Sequence, residues 1–339
     1  MPRNLLFIVI IIITILLLTA AFLRTTSPTT KIYQPSQPSY GPGSSNYTHD
    51  LVKETDYGKG EKQYWIFEPA LPTPKSAPVI VFNHGWGATN PTFYQAWINH
   101  LVRQGYIVIY PRYQQDIFTP SDYFTPNSIQ ATQEALRVLQ SGYHVRPELD
   151  KFAMVGHSVG GIITVNMAAL SKEKGLPEPK AVFAVEPGKS RTSENQMGPV
   201  LENLTKIPSN TLLLSLAGEQ DNWVGVVDAK RIIRDTRQIS SDNKDYILMI
   251  SDEHGNPTLL ANHFAPLAAE FSNKNYKLDL LVDAWDYYGT WKLFDSLLDA
   301  AFYHKNRPYA LGNTSQQRFM GIWSDGEPVK EPIVTAEPQ

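Results

Sequence analysis

The sequence predicts a doubly wound, mostly parallel α/β sheet, and three observations carry the prediction. Short apolar runs rich in β-branched and aromatic residues recur along the chain, and longer helical patterns lie between them. The runs are continuous rather than alternating, as suits strands covered on both faces. This alternation fills most of a 339-residue chain, which fits one large domain with terminal extensions.

Taken in order, the first 24 residues stand apart. Arg3 precedes an apolar run from Leu5 to Leu23, broken only by Thr14 and Thr19, and Arg24 closes it. A run of that length covers about 28 Å at helical rise, close to the thickness of bilayer hydrocarbon. Cleavable signal peptides usually have a shorter apolar stretch, although Thr19-Ala20-Ala21 offers small residues for a peptidase. The run therefore reads as a membrane anchor, with an extracytoplasmic domain behind it, in preference to a cleaved signal and secretion. Residues 25–49 are rich in Ser, Thr, Pro and Gly and read as an extended stalk.

The folded domain is expected over 50–305. Its strands are Tyr64–Phe67, Val79–Phe82, Ile107–Tyr110, Phe152–Val155, Ala181–Val185, Leu212–Leu216 and Tyr246–Ile250. Helices are expected over Pro91–Gln104, stopped by Gly105, and Asn127–Gln140, stopped before Gly142. Leu278–Phe302 is a long amphipathic segment that Gly289 breaks or kinks. Residues 306–339 form a C-terminal extension whose last ten or so residues, with Pro328, Pro332 and Pro338, are expected to fray.

Composition narrows the function. The net charge is -3, and no Lys/Arg cluster alternates with aromatic residues, which argues against a nucleic-acid partner. With no cysteine in the chain, disulfides, thiol catalysis and cysteine-ligated zinc are excluded. The histidines are scattered without ligand spacing, so no metal or organic cofactor is implied.

The chemistry concentrates around Gly156-His-Ser158-Val159-Gly160-Gly161, which lies between the strand Phe152–Val155 and a helical pattern. A G-x-S-x-G turn from strand to helix exposes its serine above the sheet, and Gly156 and Gly160 avoid collisions with the neighbouring strand and helix. This is the nucleophile motif of the α/β-hydrolase fold. In that fold the loop after the third strand supplies an oxyanion donor. Asn83-His84-Gly85-Trp86-Gly87 fits it, with the main-chain N–H groups of Trp86 and Val159 as the expected donors. His84 reads as a brace for that loop. The strand Leu212–Leu216 leads to Gly218-Glu-Gln-Asp221-Asn-Trp-Val224, and Asp221 is favoured over Glu219 as the acid. Two histidines follow the strand Tyr246–Ile250. His254, four residues past it, has the commoner loop length, and His263, thirteen past it, has the more distinctive local sequence. Both stay open as the base.

At this point a resemblance enters. Ala261-Asn-His-Phe-Ala-Pro266 resembles the histidine loop of bacterial cutinases and polyester hydrolases, which implies His263 as the base. Gly156-His-Ser-x-Gly-Gly and Asp252-Glu-His254-Gly resemble the chlorophyllase and dienelactone hydrolase side of the superfamily, which implies His254. Gly218-x-x-Asp221-x-x-Val224 is similar to both, and the likeness covers roughly 60–270. The longer matched run favours His263. The chain lacks the disulfide of secreted cutinases and adds an apolar N-terminal run and a C-terminal extension. The expected function is hydrolysis of a small-molecule or lipid-like carboxylic ester through Ser158, His263 and Asp221. A membrane-tethered binding module without activity and a lipid acyltransferase using the same three residues are the alternatives.

Overall fold

The computed structural model describes residues 31–269 and 282–339. The apolar run Leu5–Leu23 and the start of the segment expected from Leu278 lie outside the described residues. Among the described residues no helix is long and apolar enough to cross a membrane.

Nine described strands form one sheet: β1 (Leu51–Tyr57), β2 (Tyr64–Ala70), β3 (Ser76–Asn83), β4 (Ile107–Pro111), β5 (Arg146–His157), β6 (Pro179–Val185), β7 (Leu212–Gly218), β8 (Lys244–Met249) and β9 (Ile333–Thr335). Their order is β1-β2-β4-β3-β5-β6-β7-β8-β9. β3 to β8 run parallel to one another, while β1, β2 and β9 are antiparallel additions at the edges. This is the sheet of the α/β-hydrolase fold.

The five longer helices are α1 (Gln95–Gln104), α2 (Phe124–Leu139), α3 (Val159–Lys174), α4 (Val227–Asp235) and α5 (Lys292–Tyr303). They explain why the strands read as continuous apolar runs. Ile80 and Phe82 of β3 point to one core, with Trp97 of α1 and Phe294 of α5. Val79 and Val81 point to the other, with Leu136 of α2, Ile163 of α3 and Ile232 of α4. With helices on both faces, every position of a central strand is buried.

The ends of the elements differ from expectation in physically legible ways. α2 begins at Phe124, three residues early, because Pro126 sits in its first turn, where a missing N–H is tolerated. No break occurs at Gly289. The helix passes through a π-helical turn, Asp286–Trp291, and runs on as α5. A side chain at Gly289 would press on the Met249 methyl at 3.1 Å. The last residues do not all fray, since β9 pairs with β8 from Tyr246–Thr335 to Leu248–Ile333.

The stretch read as a stalk, where described, lies along the body. Ile32 packs on the core. The Gly43 N–H donates to Asp295 at 2.8 Å. The Thr48 and His49 N–H groups donate to the Arg103 carbonyl at 3.1 and 3.0 Å.

Candidate active site

Ser158 follows β5 and caps α3 with φ +58° and ψ −129°, a strained conformation for a residue bearing a side chain. The Ser158 N–H donates to the Val185 carbonyl of β6 at 2.9 Å, and the Gly161 N–H closes the turn onto the Ser158 carbonyl at 2.9 Å. A Cβ on Gly160 would lie 2.2 Å from the Asn83 carbonyl oxygen and 2.3 Å from that of His84. Glycine is therefore required for α3 to start against the loop after β3.

Around Ser158 the chain brings together two more of the expected residues. His263 Nε2 lies 2.9 Å from Ser158 Oγ, and His263 Nδ1 lies 2.8 Å from Asp221 Oδ2. The other carboxylate oxygen of Asp221 accepts the main-chain N–H groups of Trp223 and Val224 at 2.9 and 3.0 Å. Burial pushes the Asp221 pKa up, but the His263 bond and those two N–H groups outweigh it and hold the carboxyl below its ordinary value. His254 is elsewhere. It is exposed, its Nε2 meets Asp325 at 2.8 Å, and its ring leans on Trp323.

The loop after β3 sits opposite. The Gly85 N–H donates to Tyr94 Oη and the Gly87 N–H to Gln114 Oε1, both at 2.9 Å, while Trp86 carries no such main-chain bond. Val159 opens α3, so its N–H has no partner within the helix. His84 is fully buried, with Nδ1 near the Gly85 carbonyl and Nε2 near that of Arg112. Burial outweighs these contacts and pushes its pKa down to about 4, so the ring braces the loop in its neutral form.

His157 is a residue that motif reading passed over. Its Nε2–H donates to the His263 carbonyl at 3.0 Å, so in the neutral ring Nδ1 accepts from Tyr94 Oη at 2.8 Å. Burial holds the ring neutral, with its pKa well below the ordinary value. Tyr94 in turn accepts from Gly85. This chain of bonds ties the Gly85–Trp86 loop to the His263 loop behind Ser158.

The sequence model of the family described as Chlorophyllase matches residues 42–215, just over half of the chain. The chain belongs to the chlorophyllase family. That makes it a hydrolase of the α/β type, esterase-like in its chemistry. No curated protein matches the chain. The match spans Gly85–Trp86 and Ser158 and ends inside β7, short of Asp221, His254 and His263.

This chlorophyllase-family chain also buries Glu186, at the end of β6, where sequence reading looked for nothing. Its carboxyl is fully enclosed, and neither oxygen has a hydrogen-bond partner among the described residues. Oε2 lies 3.5 Å from His157 Nε2 and 3.6 Å from His263 Nδ1. Burial, and then the charge of Asp221, push its pKa well above the ordinary value. His157, Glu186 and His263 are also the trio, among the described residues, whose ligand atoms lie within 4.8 Å of one another as a metal would need. Two of those atoms already serve the His263 carbonyl and Asp221, so a cation there would have to break the contacts that orient His263.

Ser158 opens onto a cleft of about 490 Å³ walled by Trp86, Phe93, Trp223, Val224, Phe264 and Leu267. The Trp223 ring lies nearly parallel to that of His263 at 6.2 Å. An apolar wall with few polar groups suits the hydrocarbon part of an ester.

Proposed function

We propose that the protein hydrolyses carboxylic esters with an apolar, lipid-like acyl or alcohol part, through Ser158, His263 and Asp221. The observation that carries this reading is the unbroken pair of contacts on His263, 2.9 Å to Ser158 Oγ and 2.8 Å to Asp221 Oδ2. Ser158 Oγ–H donates to His263 Nε2, which takes the proton as Oγ attacks the ester carbonyl carbon. Asp221 accepts the Nδ1–H and stabilises the imidazolium. The main-chain N–H groups of Trp86 and Val159 stabilise the oxyanion, aided by the positive end of α3. Collapse of the intermediate breaks the bond to the alcohol, which leaves with the proton from Nε2. Water then attacks the acyl carbon as its proton passes to His263, and collapse breaks the bond to Ser158 Oγ, which takes the proton back from Nε2 as the acid leaves.

Burial favours the neutral forms of His157 and Glu186, and Asp221 is the carboxylate hydrogen-bonded to the His263 ring. In the cell, the Leu5–Leu23 run anchors the protein in a membrane, with the catalytic domain on the extracytoplasmic side. Purified Ser158→Ala is expected to lose ester hydrolysis by about 10⁴–10⁶ and to lose labelling by a fluorophosphonate. Near wild-type turnover of p-nitrophenyl esters by that variant would contradict the proposal.

A further inference from the structure

The course of the N-terminal segment bears on what faces the cleft. The Ile32 carbonyl accepts the Asn256 N–H at 3.1 Å, and the Tyr33 carbonyl accepts that of Ser324 at 3.1 Å. Gln34 Nε2 donates to the Pro257 and Thr258 carbonyls at 3.3 Å. These partners include the loop that leaves the C-terminal end of β8 and leads to His263. From there the chain runs to the far edge of the sheet, where Thr48 and His49 meet Arg103 at the end of α1.

Lys31 therefore enters the body at the edge that holds Ser158, three strands away in the sheet, or about 14 Å at ordinary strand spacing. Arg24, which closes the apolar run, comes seven residues before Lys31. That length reaches at most about 25 Å, roughly half the width of a body this size. A run of bilayer length on so short a tether holds the edge with the cleft toward the lipid and the opposite edge away from it.

Several large apolar side chains stand exposed on the loops near that edge. Phe118 is 85% exposed, Met197 73%, Trp223 62% and Ile117 56%. Trp223 lines the cleft and Ile117 borders it at Gly87, while Phe118 follows Ile117 on the same loop and Met197 lies on the loop next to Lys189. The Ile117 carbonyl accepts from Trp86 Nε1 at 3.1 Å, and its side chain abuts Gly87. Trp223 lines the cleft itself, together with Lys189, whose carbonyl is held by Asn195 of the Met197 loop.

We propose that the rim formed by Ile117, Phe118, Met197 and Trp223 docks on the lipid leaflet in which Leu5–Leu23 is anchored, and that the site draws its ester from that leaflet. Apolar and aromatic side chains at a lipid surface give up exposed area to the acyl boundary. The inference rests on the ester-hydrolase reading for the identity of the substrate, and on the tether and the rim for the docking.

The natural absence of cysteine allows a clean test. The full chain, reconstituted in dioleoylphosphatidylcholine vesicles, carries a single labelled cysteine as Phe118→Cys or, on the opposite edge, Tyr143→Cys, with an environment-sensitive fluorophore. Quenching by nitroxide-bearing lipid is expected at position 118 and not at 143. Equal quenching at both, stronger quenching at 143, or blue-shifted but unquenched emission at 118, as a second copy of the chain would produce, overturns the proposal. In the same vesicles, Phe118→Asp is expected to lower the ratio of long-chain to soluble short-chain ester turnover at least about tenfold, as loss of one buried aromatic ring implies. An unchanged ratio overturns it as well. Terminal sequencing that finds a chain beginning at Phe22 removes the tether and with it the proposal. Absence of all ester turnover with the quenching pattern intact counts against the hydrolase reading alone.

Discussion

A carboxyl group enclosed beside a carboxylate is pushed toward its neutral form, and Glu186 is in that position next to Asp221. Its raised pKa means that the folded chain keeps a proton which the unfolded chain loses near the ordinary carboxyl range. Stability from this group is full below that range and is lost as pH rises toward the folded value. Glu186→Gln keeps the shape and removes the titration. Its Tm should gain on that of the wild type as pH is raised from about 5 to 8, and kcat/KM should stay within about fivefold. A loss of a hundredfold or more, or a Tm difference that does not move with pH, would show an ionised and working carboxylate. Nothing local in the sequence marks this residue. A charge after an apolar strand reads as loop surface, and what turns it inward is its own φ of +43°. The partners of His157 were equally hidden, because Tyr94 and His263 are distant in sequence and meet only through the sheet.

At the scale of elements, the turn from β5 into α3 was legible because its demands are steric and local. A strand, a G-x-S-x-G turn and a helix admit few alternatives, and the parallel strands announced themselves by their two-sided burial. Gly160→Ala should cost about 1–3 kcal/mol of stability through overpacking. It should also lower kcat by about 10², because the Asn83–His84 backbone must move and carries Gly85–Trp86 with it. Thermal unfolding and initial rates read the two effects, and a variant with wild-type rates would contradict the packing argument. Two of the elements that were missed lack such signatures. β1 is an exposed edge strand carrying Lys53, Glu54 and Asp56, and β9 has three residues after Pro332. Both depend on a neighbouring strand for their form. At the π-helical turn a side chain on Gly289 would meet Met249, a constraint that no helical period reveals.

For the whole molecule, the C-terminal segment is fastened to the loop that carries His263, and Asp252 is a fastener. It is buried, and accepts from the Trp323 indole, the Lys330 N–H and the His254 N–H, each at 3.0 Å. Burial pushes its pKa up, but these bonds outweigh it and hold the carboxyl below its ordinary value. Its contribution is therefore present above the ordinary carboxyl range and is lost as pH falls through the folded pKa. Asp252→Ala strands a buried indole N–H and should cost about 2–3 kcal/mol, or a Tm lower by roughly 5 °C or more. An unchanged Tm would deny it that role. His254 owes its likeness to a catalytic histidine to this fastening, since Asp252-Glu-His254-Gly closes the end of the molecule against Trp323 and Asp325. Loop length favoured His254 and the run Ala261–Pro266 favoured His263, and the path of the chain after β8 is what brings His263 beside Ser158. The measurement that bears most directly on the proposed chemistry is the rate of fluorophosphonate labelling of Ser158 in His263→Ala and in His254→Ala. His263→Ala should cut labelling about 10³-fold or more, with no further loss of turnover when combined with Ser158→Ala, and His254→Ala should cost less than about tenfold. Labelling that survives in His263→Ala and vanishes in His254→Ala would contradict the account at its centre.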